Sequence, residues 1–410
     1  MPTKPRSSQQ QEIMPDQPPK QLQHQQIIEL AQQHGFVLAG IASANPTKYP
    51  DALKQWIDNG MHGEMDYLAN HLDVRLDPNN LLKNAQSVIC LADAYFPILP
   101  NKADSPASSA DQPNENPVNQ PHNEQISGRV ARYAWGSDYH KVLKKRLFKI
   151  ADELKTLFPD HEFRCTTDTA PILEREYATA AGLGWTGKHT LLIHPKLGSY
   201  LLLGTIVTTL PLPTTEQVGY PAPNIAPDDH CGSCTRCIDA CPTQCISSDG
   251  YSLDGSRCIS YLTLEHRSEI PIGFHDQIGE WIAGCDVCQE VCPHNRHGNH
   301  APLDKLIDAY KPKSHLAAGL PLYEILDWTA DDRQQTFMGS AIKRIKLNMI
   351  QRNAIVALTN QLINQEDHHL LIGLKQKLIS IAQDDGDDMV RKTAIQSIQR
   401  IEEYLESNHD

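Results

Sequence analysis

Nine of the eleven cysteines fall between Cys231 and Cys292, and their spacing constrains the fold more than any other feature of the 410 residues. Cys231, Cys234, Cys237 and Cys241, followed by Pro242, spell C-x2-C-x2-C-x3-C-P. This is the bacterial ferredoxin run, in which three thiolates wrap one iron–sulfur cubane and the fourth, past a turn, reaches a second cluster. Cys285, Cys288 and Cys292, followed by Pro293, repeat the run with one ligand missing. Two cubanes need about eight thiolates, one more than the two runs supply. In the crossed pattern Cys231, Cys234 and Cys237 join Cys292 on one cluster, leaving Cys241, Cys285 and Cys288 short of a ligand on the other. Cys258, on the connecting segment, is the favoured eighth ligand. Cys245 is the alternative, and is otherwise a small buried residue. Paired C-x2-C motifs also build four-cysteine zinc sites, but zinc knuckles rarely carry the full ferredoxin run with a partial second copy.

Composition limits the partners. Fifty acidic residues against 37 basic give a net charge of −13, so no global cationic field draws the chain to nucleic acid. Any such partner must dock on a local patch, and two acid-free stretches qualify: Lys141 to Lys149, and the run holding Lys343, Arg344, Lys346 and Arg352. No run approaches the roughly 18 apolar residues of a membrane span. The leader MPTKPRSSQQQEIMPDQPPK has neither an apolar core nor a twin-Arg pair. The expectation is a cytoplasmic chain, with no membrane partner, whose reduced thiols are available to metal.

Residues 1–26, rich in Gln, Pro and Ser, read as a disordered leader, and residues 100–127, poor in apolar anchors, as a surface insertion. Between them a helix over 26–35 is followed by strands at 36–43 and 87–95. A helix over 138–158 carries Val142, Ile150, Leu154 and Phe158 near one face. Further strands are expected in AGLGWTGKHTLLI and YLLLGTIVTTLPL. The mixture implies an α/β layer over 27–222, a ferredoxin-type two-cluster domain over 223–300 and a helical region over 301–410. RNAIVAL from Arg352 returns 40 residues later as KTAIQSI from Lys392, aligning Ala354 with Ala394, Ile355 with Ile395 and Leu358 with Ile398. That period is the one of HEAT-type helical pairs, although ordinary helix packing is an equal reading of two weak copies. His140 and His189 have no second ligand at metal spacing and are read as structural.

RYAWGSDYHKVLKKRL, DTAPILEREYATAAGLGWTGKHTLLI, CGSCTRCIDACPTQCI, RCISYLTLEHR, GCDVCQEVCPHNR and GSAIKRIKLNMIQRNAIVAL together resemble the epoxyqueuosine reductase family, in order from about Ile27 to Leu358. The resemblance implies an α/β corrinoid-binding domain beside two 4Fe-4S clusters. It implies a reductase that removes the epoxide oxygen from epoxyqueuosine in a tRNA anticodon, fed by an external electron donor, with a monomer expected. It places Asp168 as the catalytic acid and corrinoid contact, and Arg75, Leu192, Leu203, Cys285 and Asp286 along the corrinoid. It also supports RNA contact by Lys343, Arg344, Lys346 and Arg352. Deoxygenation needs a proton, because alkoxide leaves poorly near neutral pH, and a carboxylic acid with a raised pKa could deliver it. Read from the residues alone, Asp168 is better explained by a helix N-cap, and the leucines by strand core. A corrinoid/iron–sulfur reductase of the dehalogenase kind, acting on another substrate, is the alternative.

Overall fold

The structure, a computed structural model, describes residues 20–95, 126–219, 230–296, 306–384 and 386–407. Most of the expected leader and insertion lies outside these residues. Two bounds change: helix α1 (Lys20–Gln33) begins within the segment expected to be a leader, and a strand begins at Ser127. The helix starts early because His24 is fully buried, with its Nε2 3.3 Å from the Thr215 hydroxyl, ahead of buried Ile27, Ile28 and Ala31.

In chain order the strands are β1 (Leu38–Ser43), β2 (Ser87–Ala94), β3 (Ser127–Val130), β4 (Phe163–Thr166), β5 (Trp185–Thr186), β6 (Leu192–Ile193), β7 (Leu201–Thr208), β8 (Trp281–Ala283) and β9 (Leu320–Pro321). The main sheet has the order β1-β2-β7-β4, antiparallel throughout. Successive side chains on a strand point to opposite faces, and β2 is buried on both. Ile89 and Leu91 meet helix α2 (Tyr139–Leu157) through Leu143, Leu147, Ile150 and Leu154. Val88, Cys90 and Ala92 meet helix α3 (Glu174–Ala180) through Tyr177 and Ala178. On α2 the buried stripe runs along Leu143 and Leu147, whereas Val142 and Phe158 are half-buried at its margin. A Cβ on Gly40 would lie 2.2 Å from the carbonyl oxygen of Ala181, so glycine lets the sheet approach the end of α3. The segment expected to form one strand over 181–193 is a hairpin, β5 pairing β6, with Thr190 at φ +67 in its turn.

A second sheet, β8-β3-β9, takes one strand from each of the three expected regions. Among the helices of this half are α4 (Ile259–Leu264), ahead of β8 in the chain, and, beyond β9, α5 (Leu347–Asn364), α6 (His368–Gln383) and α7 (Asp388–Ser407). The repeat alignment holds at Ala354 and Ala394, both fully buried, and fails at Ile395, which is 56% exposed where Ile355 is buried.

Arg352 on α5 is completely buried, which removes it from the expected RNA-contacting set. Its guanidinium donates to the carbonyls of Leu262 at 2.6 Å and His266 at 2.9 Å, to that of Ser268, and to Asn353 Oδ1. A buried cation is tolerated here because it satisfies carbonyls left unpaired at the end of α4. Burial lowers its pKa to about 10, still protonated at neutral pH. Arg352→Met is expected to destabilise the fold by about 3 kcal/mol, a fall in anaerobic melting temperature on the order of 5 °C. The salt dependence of RNA binding should not change, because Arg352 neutralises no phosphate.

Candidate functional site

The cysteines gather into two groups. Cys231, Cys234, Cys237 and Cys292 line one cavity of about 70 Å³ with Lys188, His189, Ile193, His230, Arg236, Pro293 and His294. That is several times the roughly 10–15 Å³ one water needs on the same measure. Lys188 Nζ ties the hairpin β5–β6 to the first cysteine loop by donating to the carbonyl of Gly232 at 2.6 Å. The second group is Cys241, Cys245, Cys258 and Cys288, packed with Ile246, Leu253 and Val291. Cys285 adjoins Cys258 in the neighbouring apolar cluster. Cys258 and Cys245 both stand beside Cys241, whose Sγ is 3.4 Å from Cys245 Sγ. The closeness of Cys245 is invisible in the spacing.

None of these cysteines is in a disulfide. Thiols drawn into two groups, one of them around an open cavity, suit a larger body such as a cubane.

The second feature is an acid–base chain centred on Asp168 and His140. Asp168 follows β4 and has φ +47, a left-handed conformation costly for any residue with a Cβ. Its backbone N–H donates to both carboxylate oxygens of Glu174, at 3.1 and 3.0 Å, which holds the loop in place. Burial pushes the Glu174 carboxyl up to about 8. Asp168 Oδ2 accepts from the Tyr139 hydroxyl at 2.8 Å and lies 3.0 Å from His140 Nε2. The other ring nitrogen, Nδ1, lies 2.8 Å from Asp138 Oδ1, and Lys343 Nζ stands 3.3 Å from Asp138 Oδ2. Asp138 is the N-cap of α2, so the helix start orients both the carboxylate and the histidine two residues on.

The charge state differs from the sequence expectation. Burial alone would raise the pKa of Asp168, but hydrogen bonds from His140 and Tyr139 and the charge of Arg344 outweigh it and leave the carboxyl below its ordinary value. Burial would likewise depress His140, yet Asp168 and Asp138 raise it. With a carboxylate at each ring nitrogen the imidazole donates from both, so the mobile proton rests on His140 rather than on Asp168. Sequence reasoning had read His140 as structural. The signal available in the sequence is an Asp at a helix N-cap position two residues before a histidine.

Around this chain stand Tyr67, Arg75 and Arg344, each within electrostatic reach of Asp168. Arg75 Nε is buried with no hydrogen-bond partner among the described residues. Tyr133 feels both Asp168 and Asp286, and its ring meets Tyr139 edge-on at 6.1 Å, so it bridges the acid–base chain and the cysteine side. Leu192 and Leu203 lie in the apolar cluster on the α3 side of the main sheet, and the Leu203 carbonyl accepts from the Thr167 hydroxyl at 2.9 Å, next to Asp168. Asp286 is buried, accepts the backbone N–H of Arg132 at 2.7 Å and faces its guanidinium at 3.4 Å; burial raises its pKa to about 6. Arg132 also pairs with Glu290 at 2.6 Å. Lys343, Arg344 and Lys346 are exposed, Arg344 in an ion pair with Glu265 at 2.7 Å.

A family model for the 4Fe-4S double cluster binding domain matches residues 230–295, and one for epoxyqueuosine reductase QueG, DUF1730, matches 75–169. The chain is 37% identical over 353 residues to the epoxyqueuosine reductase of Burkholderia pseudomallei, covering 84% of each chain. The chain belongs to the epoxyqueuosine reductase family. A solved member of the family in complex with an epoxyqueuosine-modified tRNA-Tyr stem loop superposes with a TM-score of 0.72 at 28% identity, over 94% of both chains. The family structure from Bacillus subtilis, solved with its catalytic aspartate loop swung out of the active site, gives 0.73 at 27% identity, again over 94% of both. The family model ends on 169, next to Asp168, and the cluster model spans both cysteine groups. Among the described residues no helix is long and apolar enough to cross a membrane.

Proposed function

We propose that this chain reduces epoxyqueuosine in tRNA to queuosine, the last step in forming that nucleoside. The observation that carries the reading is His140 held between the carboxylates of Asp138 and Asp168, in a member of this family. Removing an epoxide oxygen consumes two electrons and two protons and yields an alkene and water. His140 and Asp168 hold a proton where the opening C–O bond needs one, so that the oxygen does not leave as alkoxide. Arg344 and Lys343 place positive charge beside that chain, where developing negative charge on oxygen is stabilised.

Cys231, Cys234, Cys237 and Cys292 hold one 4Fe-4S cluster and Cys241, Cys258, Cys285 and Cys288 the other, in this reading. The two clusters pass electrons singly from an external donor. Arg75, Asp168, Leu192, Leu203, Cys285 and Asp286 would hold a cobalamin in this reading: the Arg75 Nε, unpartnered among the described residues, would supply a donor for its polar edge and Leu192 and Leu203 an apolar flank. When bound, it supplies a strongly reducing cobalt for the epoxide carbon. The polar side chains around it hold and deliver the proton. Lys343, Arg344 and Lys346 contact tRNA phosphate, giving binding that weakens as salt rises. The enzyme works as a monomer in the cytoplasm.

Anaerobically reconstituted protein should hold about eight irons per chain and, once reduced, convert epoxide-bearing tRNA into tRNA whose digested nucleoside has lost one oxygen. An intact epoxide after incubation with fully loaded, reduced enzyme rejects the reading and favours another substrate for the same centre.

A further inference from the structure

His189 lies in the turn of the hairpin β5–β6, 2% exposed. Its Nδ1 accepts the backbone N–H of Leu191 at 3.2 Å. A ring nitrogen that accepts carries no proton, so the neutral imidazole must bear its hydrogen on Nε2. That Nε2 is buried and has no hydrogen-bond partner among the described residues. A buried N–H left unpaired costs about 1–3 kcal/mol, yet nothing in the fold relieves it. His189 is also on the wall of the cavity that Cys231, Cys234, Cys237 and Cys292 line. The tautomer, the missing partner and the position therefore converge on a donor facing whatever those thiolates hold.

We propose that the Nε2–H of His189 donates a hydrogen bond to a sulfur of the cluster held by Cys231, Cys234, Cys237 and Cys292, and so sets the reduction potential of that cluster. This rests on the cluster assignment above. Hydrogen bonds to cluster sulfurs are one of the protein's levers on potential. Each added electron makes the sulfurs more negative, so the donor stabilises the reduced state more than the oxidised one and raises the potential. His189 acts through the cluster and touches no substrate. The backbone bond from Leu191 fixes the ring, and Lys188, anchored to Gly232, fixes the turn against the cysteine loop.

The test uses holoenzyme reconstituted anaerobically with iron and sulfide and labelled with nitrogen-15 histidine. Pulsed EPR of the reduced wild type should detect an exchangeable proton and a histidine nitrogen coupled to one cluster; full iron with no such coupling overturns the proposal while leaving the cluster reading intact. Failure to take up iron would overturn the cluster reading instead. In His189→Phe with full iron, the nitrogen coupling should vanish and the midpoint potential of that cluster should fall by about 59 mV, a tenfold shift for one electron. An unchanged potential overturns the proposal. If the phenylalanine variant does not load, His189→Gln, close in volume and able to donate through its amide, takes its place: loss of the histidine coupling supports the assignment and its persistence refutes it.

Discussion

Asp168→Asn is expected to load both clusters and lose turnover by roughly 10²–10⁴-fold. Asn keeps the shape and can still hydrogen-bond Tyr139 and His140, and its backbone N–H still reaches Glu174, so the loop keeps its place. What it cannot supply is the negative charge that, with Asp138, holds the proton on His140. The pH dependence follows with a definite sign. His140 is raised in the folded protein, so its proton-bearing form is present below that raised value and is lost as pH climbs through it. Wild-type activity should therefore fall on the alkaline side. With one of the two carboxylates neutral, burial regains weight, the His140 pKa drops, and the alkaline limb moves to lower pH. A kcat–pH profile on epoxide-bearing tRNA, with iron content as the loading control, measures both effects. Turnover and profile unchanged from wild type would leave Asp168 as a loop anchor only.

The cysteine groups were legible from the chain because their ligand spacing is local: three thiolates within seven residues can reach one cubane whatever surrounds them. The acid–base chain was not, because its members come from different elements. Asp168 follows β4 while Asp138, Tyr139 and His140 open α2, and only the packing of α2 on the sheet brings them within hydrogen-bond distance. The sign of the Asp168 shift was misread for the same reason. A carboxyl in an apolar pocket would be raised, and the His140, Tyr139 and Arg344 groups that lower it here are brought to Asp168 only by the fold. Arg352 shows the converse error. An acid-free run of cations reads as a solvated face, but the apolar residues on both sides of it, Met349 and Ile350 before and Ala354 to Leu358 after, mark a helix buried nearly all round. Lys343, Arg344 and Lys346 precede that helix and stay exposed; Arg352 enters it and is buried. His189 reads as structural in the sequence because a missing hydrogen-bond partner leaves no mark there.

Cys258→Ala should strip one cluster, lowering iron from about eight to about four per chain, whereas Cys245→Ala should keep about eight. Cys258 is the N-cap of α4, and its thiol is held below its ordinary value first by the neighbouring Cys245 thiol and then by the backbone N–H groups of Ser260 and Tyr261 at the helix start. The place of α4 is fixed from its far end, where Arg352 fills the carbonyls of Leu262 and His266. Asn353 donates to the carbonyls of Thr263 at 2.9 Å and Ile282 at 2.8 Å, so one residue spans the segments leading from Cys258 and toward Cys285. Cys285 and Cys288 are both within electrostatic reach of Cys258. Cys245 stands between Cys241 and Cys258, 5% exposed and packed with Cys237 and Ile246, but heads no helix. Its loss removes a small buried side chain and no ligand. Iron analysis and EPR of the two variants separate the roles, and iron loss in Cys245→Ala with full loading of Cys258→Ala would exchange them. Turnover should vanish in Cys258→Ala even though the cluster of Cys231, Cys234, Cys237 and Cys292 still reduces. The missing cluster is the one bordering Asp286 and Tyr133, so electrons would stop short of the side where His140 holds the proton.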